Sequence, residues 1–328
     1  MKYYWGWLVA IVGFVILAGT WAQTPKTEVI HPAVGNGYGR VYPWVYPDDP
    51  LLPFDTEREM VIRGHELMDD TDRTIGPKAE DPGMRFAGNN LSCSSCHINA
   101  GRKPYGLGLV GVSKRYPQFS ARIDRQQTLQ GRINGCMRRS MNGKPLPENS
   151  RQMKELVAYM TWISRDVKTG DVAGDRLPKI PMLDRAANPE FGRMVYNQHC
   201  SGCHGLNGEG QINQEDPKGG YYYPPLWGSD SYNTGAGMHR IIILAEFIRK
   251  NMPPDNPHLS VEQAFDAAAF IESQHRPIEP DVVDDYPDRA LKPVDISYPP
   301  YADKFSVQQH TYGPFGPILQ AREKKKNR

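Results

Sequence analysis

The sequence contains two Cys-x-x-Cys-His runs, at residues 93–97 and 200–204, whose side chains have an evident chemistry. Such a run is the attachment signature of a c-type haem, because each thiol can add across one vinyl group of the porphyrin. The histidine that follows the second cysteine then ligates the iron on one face. The two runs therefore predict two covalently bound haem c groups. The predicted haem-binding residues are Cys93, Cys96 and His97 for the first group, and Cys200, Cys203 and His204 for the second.

Two other kinds of site use closely spaced cysteines. A zinc site usually pairs its four ligands across a loop, and a redox-active Cys-x-x-Cys pair has no need of a histidine directly after it. Two complete copies of the run, in a chain with an export signal, favour haem over both.

The sixth ligand of the second iron is predicted to be a methionine. Met252 lies in the stiff Asn-Met-Pro-Pro loop of residues 251–254, 48 residues after His204. Small cytochromes present their methionine in such a loop, and His/Met ligation raises the reduction potential. Met238 is the alternative ligand, and core packing is the alternative role for either methionine.

Cys136 is the fifth cysteine and lies 39 residues after His97, in a stretch without a Met-Pro loop. With the other four committed to haem, it has no partner for an internal disulfide. It could be a buried inert thiol, form an intermolecular bridge, or bind the first iron as a thiolate. Met137 and Met141 are alternative ligands for that iron.

The charge around Cys136 is strongly positive. Residues 102–144 contain ten Lys and Arg against Asp124 alone, so this segment carries +9 and, since the net charge is +2, the rest carries −7. Some of these cations would pair with haem propionates and others would be solvated, but the excess suggests a site for a small anion. Nucleic acid is not expected as a partner, because the basic residues surround a redox cofactor. Residues 189–275, with ten acids against five bases, would suit a basic electron acceptor.

The elements that hold these motifs are predicted to be helices. The chain has 328 residues, 31 Gly and 29 Pro, and the two haem runs lie 107 positions apart. These features predict an all-α fold with two cytochrome c-like haem domains in tandem and long irregular N- and C-terminal extensions. The predicted boundaries are 1–22 for a signal peptide or membrane anchor, 23–54 for an extended lead-in, 55–170 for the N-terminal cytochrome c domain, 171–188 for a linker, 189–276 for the C-terminal cytochrome c domain and 277–328 for a tail that wraps the surface.

Each domain is expected to begin and end with a helix. The first domain would begin with a helix from Asp55, in which Gly64 permits close approach to another helix, and would end with a helix over 149–166 capped by Asn149. The second would begin with a helix from Pro189 and end with one that starts at a capping box of Ser260 and Gln263.

The N-terminus predicts export. Residues 5–18 are apolar and uncharged, and Thr20-Trp21-Ala22 offers small residues for signal cleavage. The alternative is a retained membrane anchor through residues 5–21, since about 17 apolar residues is the lower limit for spanning a bilayer. Either reading places the body of the chain in the periplasm.

Three stretches resemble the dihaem thiosulfate dehydrogenases: residues 88–101 around the first haem run, 132–143 around Cys136, and 301–317 in the tail. The likeness extends from about residue 55 to 317, and the Cys136 stretch is its most specific part. The resemblance implies that two thiosulfates are joined into tetrathionate and that two electrons pass to an acceptor, such as a soluble or membrane-bound cytochrome c. It also implies that Cys136 is the distal ligand of the catalytic haem. In the second haem the family uses Met or an adjacent Lys, and here Asn251 precedes Met252, which favours Met252.

Two thiosulfate dianions repel each other, so cationic donors are needed beside Cys136. Arg122, Arg132 and Arg139 are the predicted sulfonate-binding residues, with Ser140 as a short-range donor.

Other functions remain open on the sequence. A dihaem electron-transfer subunit, for example one anchored in the membrane and feeding an oxidase, would have no substrate site. A sulfur-carrier-oxidising cytochrome would also use cysteine ligation but would require a partner subunit. A dihaem peroxidase would need catalytic acids for which the sequence offers no placement. The residues leave open the physiological direction, because tetrathionate reduction would use the same site.

Overall fold

The structure, a computed structural model, describes residues 56–168, 172–213, 220–254 and 256–326. Within these ranges, no helix has the length and apolar character needed to cross a bilayer. The predicted signal peptide or anchor and the lead-in, residues 1–54, lie outside the described residues.

Helices dominate the described residues, as the sequence predicts. The α-helices are α1 (Thr56–Asp69), α2 (Thr71–Thr74), α3 (Val112–Arg115), α4 (Leu129–Arg139), α5 (Arg151–Trp162), α6 (Pro189–His199), α7 (Ser201–His204), α8 (Ile241–Asn251), α9 (Val261–Glu272), α10 (Val307–Tyr312) and α11 (Gly316–Lys326). Short 3-10 helices lie at Pro82–Met84, Cys93–Ser95, Pro280–Asp284 and Arg289–Leu291. Two antiparallel hairpins, which the sequence did not predict, pair β1 (Gln118–Ser120) with β2 (Arg125–Gln127) and β3 (Gln211–Ile212) with β4 (Tyr221–Tyr223).

Each half of the molecule is organised around two helices that cross at a glycine. In the first half α1 packs on α5, and a Cβ added to Gly64 would lie 2.1 Å from the carbonyl oxygen of Glu155. In the second half α6 packs on α9, and a Cβ added to Gly192 would lie 1.8 Å from the carbonyl oxygen of Asp266. The predicted close approach at Gly64 is confirmed, and the second half repeats it.

A single added methyl group should disturb this crossing. We expect Gly192→Ala to lower the free energy of unfolding by about 1–3 kcal/mol, because the backbone of α9 must move away from the new Cβ. Gly316→Ala is the matched control, since nothing lies within 4 Å of a Cβ at that position. Thermal unfolding followed by circular dichroism measures both. Equal melting temperatures for the Gly192 variant and wild type would contradict the packing described here.

The helix ends follow from local hydrogen bonds. Helix α5 is shorter than predicted, and Asn149 is wrong as its cap: Ser150 Oγ accepts from the Met153 N–H at 3.3 Å and takes that role. The predicted capping box of Ser260 and Gln263 at the start of α9 is confirmed.

The segment after α9 returns across both halves. Asp285 pairs with arginines of the first half. Asp295 accepts from Arg240 Nη2 at 2.6 Å and from the N–H of Ile242 at the start of α8. This segment includes α10 and α11 besides irregular stretches, and the basic residues 324–326 are exposed in the last turns of α11.

Candidate active site

A cavity of about 370 Å³ lies next to the first haem run. It is lined by residues from the haem run, the β1–β2 hairpin, α4 and the segment that leads into α8. Its lining residues include Leu91, Ser92, Cys93, Cys96, His97, Leu107, Arg122, Arg132, Cys136, Arg139, Ser140, Met141, Tyr232, Met238 and Arg240. All five predicted catalytic residues, Cys136, Arg122, Arg132, Arg139 and Ser140, are therefore brought together at one cavity. Both alternative ligands, Met137 and Met141, are buried in the core, and Met141 also lines this cavity whereas Met137 does not.

Helix α4 divides its residues between the core and the cavity. Ile133 and Met137 are buried in the hydrophobic core on one face. Arg132, Cys136 and Arg139, spaced by four and three residues, line the cavity on the other face. This spacing follows the helical repeat, which places residues three and four apart on one side. The amphipathic pattern of α4 thus aligns the predicted substrate residues with the predicted ligand.

Cys136 lies in a strongly polar environment. Arg132 Nη1 donates a hydrogen bond to Cys136 Sγ over 2.9 Å, and His97 lines the same cavity. Burial alone would raise the pKa of the Cys136 thiol, but the charge and hydrogen bond of Arg132 and the nearby His97 side chain lower it to about 6. Burial raises the pKa of the Cys93 and Cys96 thiols instead, to about 11 and about 12.

Both motif histidines are oriented by the backbone. His97 Nδ1 donates to the carbonyl of Leu107 at 2.6 Å, and His204 Nδ1 donates to the carbonyl of Pro224 at 2.8 Å. A hydrogen bond at Nδ1 fixes the tautomer that leaves Nε2 available to a metal. Burial lowers the pKa of His204, which keeps its imidazole neutral, as a ligand must be.

The second cavity, of about 460 Å³, lies next to the second haem run. Cys200, Cys203 and His204 line it, as do both candidate methionines, Met238 and Met252. Much of the wall is apolar, with Leu226, Leu244, Phe247, Ile248 and Ile271. Paired cysteines, an oriented histidine and a sulfur ligand on the wall fit a c-type haem, and His97 and Cys136 supply a comparable donor set in the first cavity.

The two cavities share a wall. Leu91, Ser92, Cys96, Tyr232 and Met238 line both of them. A group bound in one cavity would therefore lie close to a group bound in the other, as electron transfer between them requires.

Sequence reasoning missed Asp285, which pairs with two of the cavity's arginines. Asp285 Oδ1 accepts from Arg139 Nη2 at 2.8 Å, and Oδ2 accepts from Arg122 Nη1. The only hint in the sequence is charge: the acids at 281, 284 and 285 lie outside the basic segment that they could neutralise.

Other cations of the basic segment also have carboxylate partners. Arg138 pairs with Glu279 and Asp281 at 3.3 Å, and Arg115 pairs with Asp175. The excess charge that the sequence predicts is thus partly compensated by residues far away in the chain.

Comparison with known families matches both halves of the chain. Residues 85–169 match the SoxA/TsdA cytochrome c domain, and residues 187–271 match cytochrome c oxidase, cbb3-type, subunit III. These matches confirm the prediction of two tandem cytochrome c domains with mostly α structure, and with it the prediction of two haem c groups.

Several relatives span most of the chain. A thiosulfate dehydrogenase of Stutzerimonas stutzeri is 33% identical over 279 residues, which cover 84% of this chain and 86% of the relative. A thiosulfate dehydrogenase of Allochromatium vinosum is 37% identical over 238 residues, which cover 71% of this chain and 84% of the relative.

A solved structure has the same fold. The "as isolated" form of a thiosulfate dehydrogenase (TsdBA) from Marichromatium purpuratum superposes with a TM-score of 0.64 and 32% identity, and the match covers 70% of this chain. This chain spans about half (49%) of the length of that one.

Proposed function

The chain belongs to the thiosulfate dehydrogenase family, and from this premise we propose that it joins two thiosulfate anions into one tetrathionate at the cavity beside Cys136. In this reaction each thiosulfate gives up one electron from its outer sulfur, and the two outer sulfurs form the new S–S bond. Two electrons leave the cavity, and no proton is taken up or released.

We propose that Cys93 and Cys96 would hold the catalytic haem covalently and that His97 and Cys136 would bind its iron. The corresponding set for the second haem is Cys200, Cys203, His204 and Met252. We favour Met252 over Met238 because Met238 lies on the wall that both cavities share. A bound haem c supplies a one-electron acceptor.

The arginines of the cavity address the main obstacle to the reaction. Two unit charges 4 Å apart repel by about 4 kcal/mol at an effective dielectric constant of 20, and two dianions have four times that product of charges. Arg122, Arg132 and Arg139 can offset this repulsion through charge-assisted hydrogen bonds to the sulfonate oxygens. In this proposal Ser140, which caps the C-terminal end of α4, donates a further hydrogen bond to the sulfonate.

The electrons would leave through the second domain. The shared wall at Cys96, Tyr232 and Met238 supports transfer from the first cavity to the second. The acidic composition of residues 189–275 suits a basic acceptor, for which we propose a c-type cytochrome in the periplasm. The same site would also reduce tetrathionate if the potentials of donor and acceptor were reversed. Whether residues 5–21 anchor the chain in the membrane is a separate proposal that rests on composition alone.

One observation carries the proposal. Cys136, with Arg132 at 2.9 Å, shares its cavity with His97 and with three further arginines, Arg122, Arg139 and Arg240. An electron carrier needs cations only for its haem propionates, whereas the coupling of two anions needs cations next to Cys136 itself.

The direct test is to add thiosulfate to the oxidised protein without air. We expect the absorption bands of both haems to change to those of the reduced form, and one tetrathionate to appear for every two thiosulfates consumed. Sulfate, a dianion that cannot donate these electrons, is the control. Haems that stay oxidised with thiosulfate but are reduced by dithionite would identify an electron-transfer subunit instead. Reduction that requires an added sulfur-carrying protein would indicate a sulfur-carrier-oxidising cytochrome.

A further inference from the structure

We propose that Asp285 is a positioning residue that holds Arg122 and Arg139 in the arrangement needed to bind thiosulfate. This inference rests on the proposed function and deepens it, because it assigns a role at the substrate cavity to the segment that follows the second domain.

The carboxylate of Asp285 connects two arginines from different elements. Arg139 comes from the last turn of α4, and Arg122 comes from the loop between β1 and β2. Each bonds to a different oxygen of Asp285, a residue that is only 3% exposed. A buried carboxylate that accepts from two guanidinium groups fixes the distance between them. The β1–β2 hairpin and α4 place the two arginine backbones but do not by themselves fix this distance.

The carboxylate is itself held in place. Tyr298 Oη donates to Asp285 Oδ2 at 2.9 Å, and Arg289 Nη1 donates to the backbone carbonyl of Asp285. The N–H of Tyr286 donates to the Arg122 carbonyl at 2.8 Å, and the Arg122 guanidinium lies 5.2 Å from the centre of the Tyr286 ring. The hairpin is therefore bonded to this segment through both backbone and side chain.

Arg139 retains a donor for a ligand. Its Nη2 is engaged by Asp285, but its Nε is buried and has no hydrogen-bond partner in the described part of the chain. Buried polar groups without a partner are rare in folded proteins. Because Arg139 lines the cavity, a sulfonate oxygen is a suitable acceptor for this N–H.

The charges follow the same logic. Two guanidinium groups next to each other would repel and turn apart, whereas one carboxylate between them neutralises a single charge and leaves a net charge of +1 for the three groups. Asp285 thereby keeps both cations at the cavity and still leaves it attractive to an anion.

The test compares Asp285→Asn with wild type as full-length dihaem protein. The amide nearly preserves shape but loses the charge and can accept from only one of the two arginines. We expect kcat/KM for thiosulfate to fall about 100-fold, mainly through KM, because misplaced binding groups cost up to this factor. Binding of tetrathionate to the oxidised protein, measured by calorimetry, should weaken in parallel. The covalent haem content should not change.

Asp303→Asn is the matched control, because Asp303 lies in the same C-terminal segment and pairs with His310 and Arg322, neither of which lines the cavity. It should leave KM for thiosulfate unchanged. If Asp285→Asn does not fold, Tyr298→Phe replaces it, since loss of the 2.9 Å bond to Asp285 should raise KM without removing the charge.

In a double-mutant cycle, the loss of kcat/KM in the double variant Arg139→Gln/Asp285→Asn, expressed as a free energy, should be smaller than the sum of the losses in the two single variants. The reason is that Asp285 acts through Arg139. Three results would each overturn the role of Asp285. The first is a wild-type KM in Asp285→Asn, or in Tyr298→Phe where that variant replaces it. The others are an equal loss of kcat/KM in Asp303→Asn and full additivity in the cycle. If wild type itself is not reduced by thiosulfate, the proposed function fails and this inference fails with it. Normal wild-type turnover with an unaffected Asp285 variant defeats only the inference.

Discussion

Cys136→Met is expected to abolish thiosulfate oxidation while both haems stay attached. Attachment depends on the two Cys-x-x-Cys-His runs, which the substitution does not touch. The thiolate would be replaced by a neutral thioether, and methionine ligation raises the potential of a haem. Because changes to the groups that merely support a metal ligand cost 10–100-fold in activity, we expect loss of Cys136, the proposed ligand, to lower kcat by at least about 100-fold.

Three measurements would check this result: haem content per chain, the midpoint potential of the first haem, and the rate of reduction by thiosulfate. Met137→Leu is the matched control. Met137 is the next residue of α4 but is buried in the core, and Leu has a similar volume. It should therefore retain turnover. A Cys136→Met protein with wild-type turnover and an unchanged potential would remove Cys136 from the reaction.

Most residues of the proposed site could be selected from the sequence, because they lie in short motifs. The two haem runs have a chemistry that depends on local spacing, and each lines a cavity, with Cys96 of the first run on both. Arg132, Cys136 and Arg139 stood out in the sequence by charge and by the odd cysteine, but the sequence predicted no helix there, and their common face follows from α4.

The partners of the arginines could not be predicted in this way. Asp285 lies 163 residues from Arg122 and 146 from Arg139, and no periodic pattern connects positions so far apart. Their pairing depends on the course of the segment after α9, which is fixed by tertiary contacts such as those of Asp295. Charge balance was the usable signal, since a segment of +9 needs acids from elsewhere. Charge balance alone does not identify which acidic residues pair with the arginines.

The resemblance contributed what the residues alone left open. From spacing and charge, Cys136 could be an inert thiol, a bridge or a ligand. The structure narrows these choices, because Cys136 shares a cavity with His97 and receives a hydrogen bond from Arg132. An inert thiol would not need two polar neighbours, and a thiol inside a cavity is poorly placed for a bridge to another chain.

Arg132→Gln is the second substitution for which we expect a large effect. Arg132 is the cavity arginine that contacts Cys136, at 2.9 Å, so in the proposed reaction it would hold a thiosulfate next to the Cys136 sulfur. Removing one preorganised donor from a developing charge costs about 10²–10³ in kcat, and we expect a loss of this size in thiosulfate turnover.

Arg132→Lys separates charge from geometry. A lysine restores the positive charge but not the planar pair of donors, so it should recover only part of the lost activity if sulfonate is bound in a bidentate manner. Full recovery would mean that charge alone matters.

Arg125→Gln is the matched control for net charge. Arg125 belongs to the same basic segment and is exposed on β2, outside the residues that line the cavity. If long-range attraction of anions were the main contribution of the basic segment, both glutamine variants would raise KM to the same extent, and both effects would disappear at high salt. We expect Arg132→Gln to lose thiosulfate turnover at both low and high salt, and Arg125→Gln to change turnover and KM little. This difference would place the effect at the cavity, where two dianions must approach each other before their outer sulfurs can bond.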